Sequence, residues 1–170
     1  MPWPATFETA RLRCERLRAD DLPEIRRMHR DARVMQHLGG VFTEQQSVDY
    51  LTRNLAHWDL HHHGLWIVYE RDGAEPIGRA LLRHLSLDNV DEVETGYAFY
   101  EPHWGRGLAT ELTRASLALG FNELRLSTIV AVTTPENAAS QHVLTKCGLS
   151  HERNFQRGDE TLALFRIHRT

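Results

Sequence analysis

A mixed α/β sheet in one domain is the fold class this sequence predicts, and three patterns predict it. Residues 64–70 and 77–87 are apolar-rich segments flanking the turn sequence RDGAEP, and they read as an antiparallel hairpin. A third strand at 93–100 follows DNVD directly. From residue 105 onward the pattern becomes helix, strand, helix and two last strands. A meander followed by crossover helices gives a central, mostly antiparallel sheet with a parallel crossover pair, flanked by about four helices.

Residues 12–18 (LRCERLR) alternate apolar and charged side chains as a half-buried strand does, and Asp20, Asp21 and Pro23 then suit a helix start. Leu22, Ile25 and Met28 mark the inner face of that helix. After LGG at 38–40, Thr43 with Gln46 three residues on makes a capping box, and Val48, Leu51, Leu55 and Trp58 form the apolar stripe of a second helix. Leu108, Leu112, Ala115 and Leu119 share one face of a helix that starts at about 105–107. A strand near 126–133 leads into TPENAAS and a helix with Ala139, Val143 and Cys147 inward, ended by Gly148. Strands near 149–156 and 161–168 finish the chain.

The chain has 170 residues, 41% of them hydrophobic, enough to fill one core, so a single domain over residues 1–170 is expected. It has no run of about 18 apolar residues, and MPWPATFETARLR lacks the basic-then-apolar order of a secretory leader. The expectation is a cytoplasmic protein without a membrane partner. A formal net charge of -3 with no basic block argues against nucleic acid and for a small ligand. Cys14 and Cys147 form no CxxC pair and read as buried thiols. All the basic residues but Lys146 are arginine, a bias that genomic base composition explains.

EPHWGRGLATEL, residues 101–112, sets two glycines astride Arg106 where a strand becomes a helix. A helix N-terminus carries about four unpaired N–H groups and roughly half a positive charge, and glycine there lets an anion approach. Two readings are open: a cradle for a pyrophosphate, with Arg106 at its rim, or a tight turn. A Walker loop is missing, and position 110 is Thr where a dinucleotide fingerprint needs its third glycine. On the preceding strand Glu94, Gly96 and Ala98 alternate onto one face, with Val93, Thr95, Tyr97 and Phe99 opposite. Glu94 therefore stands beside two small residues, either as an ion-pair or solvated carboxylate or as a group facing a ligand. His57, His61, His62 and His63 invite a metal reading, but HExxH is absent and no Cys or carboxylate set completes a site. They read as a solvated helix end, and no metal is expected.

GYAFYEPHWGRGLATEL followed by TPENAASQHVLTKCGL resembles the two signature segments of the GCN5-related N-acetyltransferases, most closely the branch that acetylates ribosomal-protein N-termini. The similarity extends to TARLRCERL, VMQHLGG and HGLWIVYER and so covers nearly the whole chain. It implies acetyl-CoA as donor and co-substrate, with its pyrophosphate on the amides of Gly105, Arg106, Gly107, Leu108, Ala109 and Thr110 behind Trp104. The pantetheine arm then lies along the strand edge near Phe99 and Tyr100, like an added strand. Asn137 is implied as a cofactor contact, with a polar residue of the helix's first turn as its other reading. Glu94 is implied as a general base acting through water or with a pKa raised by burial. Leu144 stands where many members of the family carry a tyrosine acid, and Ser140 one turn earlier is the substitute, or a small residue at a close approach. Lys146 complements its helix dipole or reaches the 3′-phosphate, and His61 to His63 edge the acceptor cleft. The activity implied is acetyl transfer to a primary amine, a small molecule or a protein N-terminus, by a monomer or homodimer. The other class of function open is a non-catalytic acetyl-CoA-binding module, which Leu144 favours.

Overall fold

Residues 5–170 are described by the computed structural model, so the first four residues of the segment read for a leader lie outside the described residues. Eight strands form one sheet: β1 (Thr6–Glu8), β2 (Leu12–Arg16), β3 (Leu65–Glu70), β4 (Pro76–Leu87), β5 (Val90–Phe99), β6 (Thr128–Thr133), β7 (Ser150–Arg157) and β8 (Glu160–His168). Their order in space is β1-β2-β3-β4-β5-β6-β8-β7. Every neighbouring pair is antiparallel except β5 with β6. The parallel pair falls where the sequence places its crossover helix. The helices are α1 (Leu22–Arg30), α2 (Glu44–His61), α3 (Leu108–Asn122) and α4 (Ala138–Lys146). The three-residue β1 and two short 3-10 turns, Ala19–Asp21 and Val34–His37, had no sequence signal strong enough to read.

Alternate residues of a strand face opposite sides of a sheet, and β5 shows which helices cover which side. Ala98 packs with Met28 and Met35 beside α1, whereas Val93 and Phe99 join Leu108 and Leu112 of α3. α1 and α3 thus sit on opposite faces of β5.

The capping box of α2 is formed in both directions: Gln46 N–H donates to Thr43 Oγ1 at 3.2 Å, and Thr43 N–H to Gln46 Oε1 at 2.7 Å. Its apolar stripe is turned from the expected one. Leu51 and Trp58 are buried, but Val48 and Leu55 are only half-buried, and Ser47, Tyr50 and Asn54 are enclosed in their place. Ser47 and Asn54 find partners there, Ser47 on His29 Nδ1 at 2.9 Å and Asn54 Oδ1 accepting from Arg83 Nη1 at 3.3 Å, while Tyr50 goes inward by its ring. In α3 the buried side is Leu108, Leu112, Thr113, Ser116, Leu117 and Gly120, with Ala115 and Leu119 half-buried. α4 departs further: Leu144 is its buried residue, Val143 and Cys147 are half-buried, and Ala139 is exposed. The Asn137 cap starts the helix with the line through Ser140 and Leu144 turned inward, and this sets the other line to the rim.

Cys14 is the buried thiol expected, its pKa pushed up to about 12 by burial. Cys147 is not fully buried, and its thiol donates to the Thr110 carbonyl at 3.6 Å, tying α4 to α3.

The histidines at the end of α2 form a built cluster with His84 of β4. His57 donates from Nδ1 to the His63 carbonyl at 2.8 Å and accepts the His84 backbone N–H on Nε2 at 2.9 Å. Both ring nitrogens are used, so this imidazole holds backbone and is fixed in one neutral tautomer. His61 stacks on His84 with ring centroids 3.9 Å apart, and only His62, in left-handed backbone, is exposed. Burial, above all, pushes the pKa of His57 and of the enclosed His29 down to about 4. The unfolded chain takes up protons on these rings below about 6.5, and the folded protein refuses them until about 4. Stability is therefore complete above pH 6.5 and declines as pH falls through that window. Thermal melting at constant ionic strength should show Tm dropping between pH 6.5 and 4.5, with a shallower drop in His57→Gln. A flat profile would contradict the fixed neutral tautomer.

Candidate active site

β5 and β6 meet as a ladder only at Glu94 and Val130. Beyond that pair β5 continues to Phe99 and β6 to Thr133, and the strands part, leaving two facing edges of backbone groups.

The chain leaves β5 through the short turn Glu101–His103 and Trp104 and reaches α3 through Gly105 and Gly107. Both glycines are left-handed, with φ of +71° and +76°, where another residue would cost about 1–2 kcal/mol. A Cβ at Gly105 would meet nothing within 4 Å, and one at Gly107 only the Arg11 guanidinium at 3.5 Å. The N–H groups of residues 105 to 110 donate no hydrogen bond among the described residues. The tight-turn reading of the glycines is met. The turn requires them, and it leaves six successive donors open at the positive end of a helix. Arg11 braces this loop from outside, donating to the Arg106 carbonyl at 2.7 Å and pairing with Glu111 at 2.7 Å. The Arg106 side chain is held by Glu70 at 2.7 Å at the end of β3. Leu108 is in the core and Ala109 and Thr110 are half-buried, so these three offer the loop their backbone.

Trp104 is 46% exposed, with its indole N–H on the Phe99 carbonyl at 2.7 Å. Phe99 itself is in the core facing α3. The Tyr100 phenol donates to Glu24 of α1 at 2.7 Å, and the Arg27 guanidinium lies 4.4 Å over its ring. Its side chain is thus engaged on the α1 side.

Asn137 is the N-cap of α4, its Oδ1 accepting the Ser140 N–H at 3.1 Å. The polar first-turn reading is satisfied, and the cap also fixes where Ser140 stands. Burial pushes the pKa of the Tyr97 phenol up, and the Ser140 side chain beside it acts the other way. Tyr97 was not singled out from the sequence. The available signal was its place on the face opposite Glu94, toward a helix that has leucine at 144.

Glu94 is 9% exposed and shares its face with Gly96 and Ala98 as alternation requires. Opposite it on β4 stands Arg83, whose Nε donates to Glu94 Oε1 at 2.9 Å and whose Nη1 reaches Asn54 Oδ1 at 3.3 Å. The ion-pair reading of Glu94 is realised. Arg83 and Arg79, on the same face of β4, are the site residues that sequence reasoning missed. Lys146 is exposed in the last turn of α4.

The same chain matches the family profile described as an acetyltransferase (GNAT) domain over residues 11–150. The twenty residues that follow the match are integral to the sheet, since β8 lies between β6 and β7. The uncharacterized protein YkkB of Bacillus subtilis is 28% identical over 155 residues, 91% of this chain and 90% of that protein. The crystal structure of an acetyltransferase from Agrobacterium tumefaciens superposes with a TM-score of 0.85 at 28% identity, covering 96% of this chain and 94% of that one. The spermidine N-acetyltransferase of Vibrio cholerae, in complex with CoA and spermine, shares the fold with a TM-score of 0.72 at 19% identity over 92% of this chain and 95% of that one. The parted strands, the open amides and the family match together define an N-acetyltransferase. The chain belongs to the GNAT acetyltransferase family.

Removing one member of an enclosed ion pair leaves the other uncompensated, and removing both does not. Arg83→Leu should lower stability by about 2–4 kcal/mol, and the double variant Arg83→Leu with Glu94→Leu should recover at least half of that. Denaturant melts of the four proteins would test this, and additive losses would show the pair is uncoupled.

Proposed function

We propose that this protein moves an acetyl group from acetyl-CoA to a primary amine by direct attack on the thioester, with Glu94 as base and Ser140 at the leaving sulfur. The observation that supports this most is the opening between β5 and β6, with Glu94 and Arg83 on its α1 side and Ser140, Tyr97 and the amides of 105–110 on its α3 side. An amine and a thioester entering from opposite faces would meet there, held for reaction by the sheet itself.

The roles follow from the chemistry of each group. Amides 105–110 would receive the pyrophosphate, and the edge of β5 up to Phe99 and Tyr100 would pair with the amide groups of the pantetheine arm. Trp104 and Arg106 would border the loop, and Asn137 would set the line of Ser140. The amine nitrogen attacks the carbonyl carbon and gives up a proton toward Glu94, directly or through water, and the carbon–sulfur bond then breaks. The thiolate takes its proton from solvent or the Ser140–Tyr97 pair. The acceptor is a small-molecule or peptide amine. Solved structures of similar fold include a spermidine N-acetyltransferase and a ribosomal L7/L12 alpha-N-protein acetyltransferase, so the ribosomal N-terminal branch is one reading among these acceptors.

Glu94→Gln keeps the shape of the side chain but removes proton acceptance, so turnover near neutral pH should fall roughly 10²- to 10⁴-fold while CoA affinity stays within a factor of about 3. Part of the deficit should return as pH climbs toward the pKa of the acceptor amine. Full activity of the variant at pH 7 would remove Glu94 from the base role. A second measurement addresses the cradle. CoA should bind far more tightly than pantetheine, and Gly105→Val should weaken CoA binding; equal affinity for the two would rule out a pyrophosphate site.

A further inference from the structure

Between α1, α2 and β4 lies a set of buried hydrogen-bond donors without acceptors. Arg79 of β4 is 6% exposed, and its Nε and Nη1 have no hydrogen-bond partner among the described residues. Its guanidinium lies 5.1 Å from the ring of Tyr50 on α2, whose own hydroxyl, 6% exposed as a residue, is likewise unpartnered. His29 of α1, fully enclosed, has its ring 4.7 Å from Tyr50 and an unpartnered Nε2. Leaving buried donors unmade costs about 1–3 kcal/mol each, and more when the group is charged. Arg79 Nε, Arg79 Nη1 and the Tyr50 hydroxyl are three such donors in one place, beside the unpartnered Nε2 of His29, and they need an acceptor that the described chain does not provide.

Charge narrows the choice. Arg79 and Arg83 bring two positive charges to this face, and Glu94 returns one negative, its Oε1 held by Arg83. Arg79 feels both neighbours. Burial first, then Arg83, push its pKa down to about 9 and Glu94 opposes them, so it remains cationic at neutral pH. One net positive charge, planar donors and an aromatic ring alongside match a single carboxylate better than a doubly charged phosphate. The strand register adds position. Arg79 pairs across the ladder with Ala98 and Arg83 with Glu94, so the donors lie on the same face of the sheet as the proposed base.

The geometry points to Arg79, with Tyr50 and His29, as a receptor for a carboxylate carried by the amine acceptor, making the acceptor an amino acid or a related amino-carboxylate. This rests on the acetyl-transfer reading of the same site, and it names the substrate class within it.

The experiment compares amines that differ only in the acid: 4-aminobutyrate with butylamine, 6-aminohexanoate with hexylamine, and alanine with alaninamide. Thiol release from acetyl-CoA gives kcat and KM, and calorimetry in the presence of CoA gives acceptor binding without turnover. At least one acid should exceed its uncharged twin by about 10-fold in kcat/KM. In Arg79→Gln that acid should lose roughly 30-fold or more, chiefly through KM, and the ratio should collapse toward one. Should Arg79→Gln fail to fold, Arg79→Lys and Tyr50→Phe serve instead, each expected to lower the ratio several-fold because each removes donors and keeps the charge. Turnover of amines with no acid preference in the wild type would overturn the carboxylate receptor and leave acetyl transfer standing. Arg79-dependent binding of an acid with no turnover of any amine would support the receptor and remove the acetyl-transfer reading. Folded variants that leave the acid preference intact would overturn the assignment to Arg79.

Discussion

One backbone pairing organises the molecule. Among the described residues β5 and β6 are the only parallel neighbours, and their ladder is reduced to Glu94 and Val130 before they part. Strands twist and diverge unless hydrogen bonds hold them, and here α3, which must leave one strand and return to the other, keeps the far ends apart. The antiparallel meander from β1 to β5 and the hairpin β7–β8 docked on β6 are each coherent by themselves, and the opening lies at their junction. Glu94 stands at the last paired residue, the glycine turn lies just past the end of β5, and the capped helix α4 lies just past the end of β6.

The fold was largely legible because its signals are local. RDGAEP between two apolar strands, Thr43 with Gln46, and the glycines at 105 and 107 each act over a few residues, and the structure uses each where the sequence places it. The candidate site was legible in part for the same reason, since strand alternation alone put Glu94 on the face with Gly96 and Ala98. What escaped depends on partners distant in sequence. Arg83 reads as a surface charge until Glu94 is set across the ladder from it, eleven residues away, with Asn54 twenty-nine away on α2. The rotation of α2, which buries Ser47, Tyr50 and Asn54 ahead of Val48 and Leu55, has the same cause. Hydrophobic spacing assumes that polar residues go outward, and that assumption fails wherever a second polar residue waits inside.

The two faces of β5 are chemically unlike. The side toward α3 carries only uncharged polar groups among its apolar ones, Thr95 and Tyr97 of β5 and Thr113 and Ser116 of α3, and the side toward α1 and α2 carries Arg79, Arg83, Glu94, His29 and Asn54. A single strand separates them by alternation, without any loop or insertion. Under the proposed acetyl transfer, a change of accepted amine would involve side chains on one face only.

Lys146 has a chemical corollary. An exposed ε-amine close to a thioester is itself a nucleophile, and slow acylation erodes the charge of a protein that works beside one, whereas a guanidinium stays protonated and inert at cellular pH. With arginine at every other basic position, this molecule presents one side-chain amine to such wear, in the last turn of a helix where its loss removes a favourable end charge and little else. The ion pairs of Arg11, Arg83 and Arg106 rest on guanidiniums, which a thioester does not acylate under such conditions.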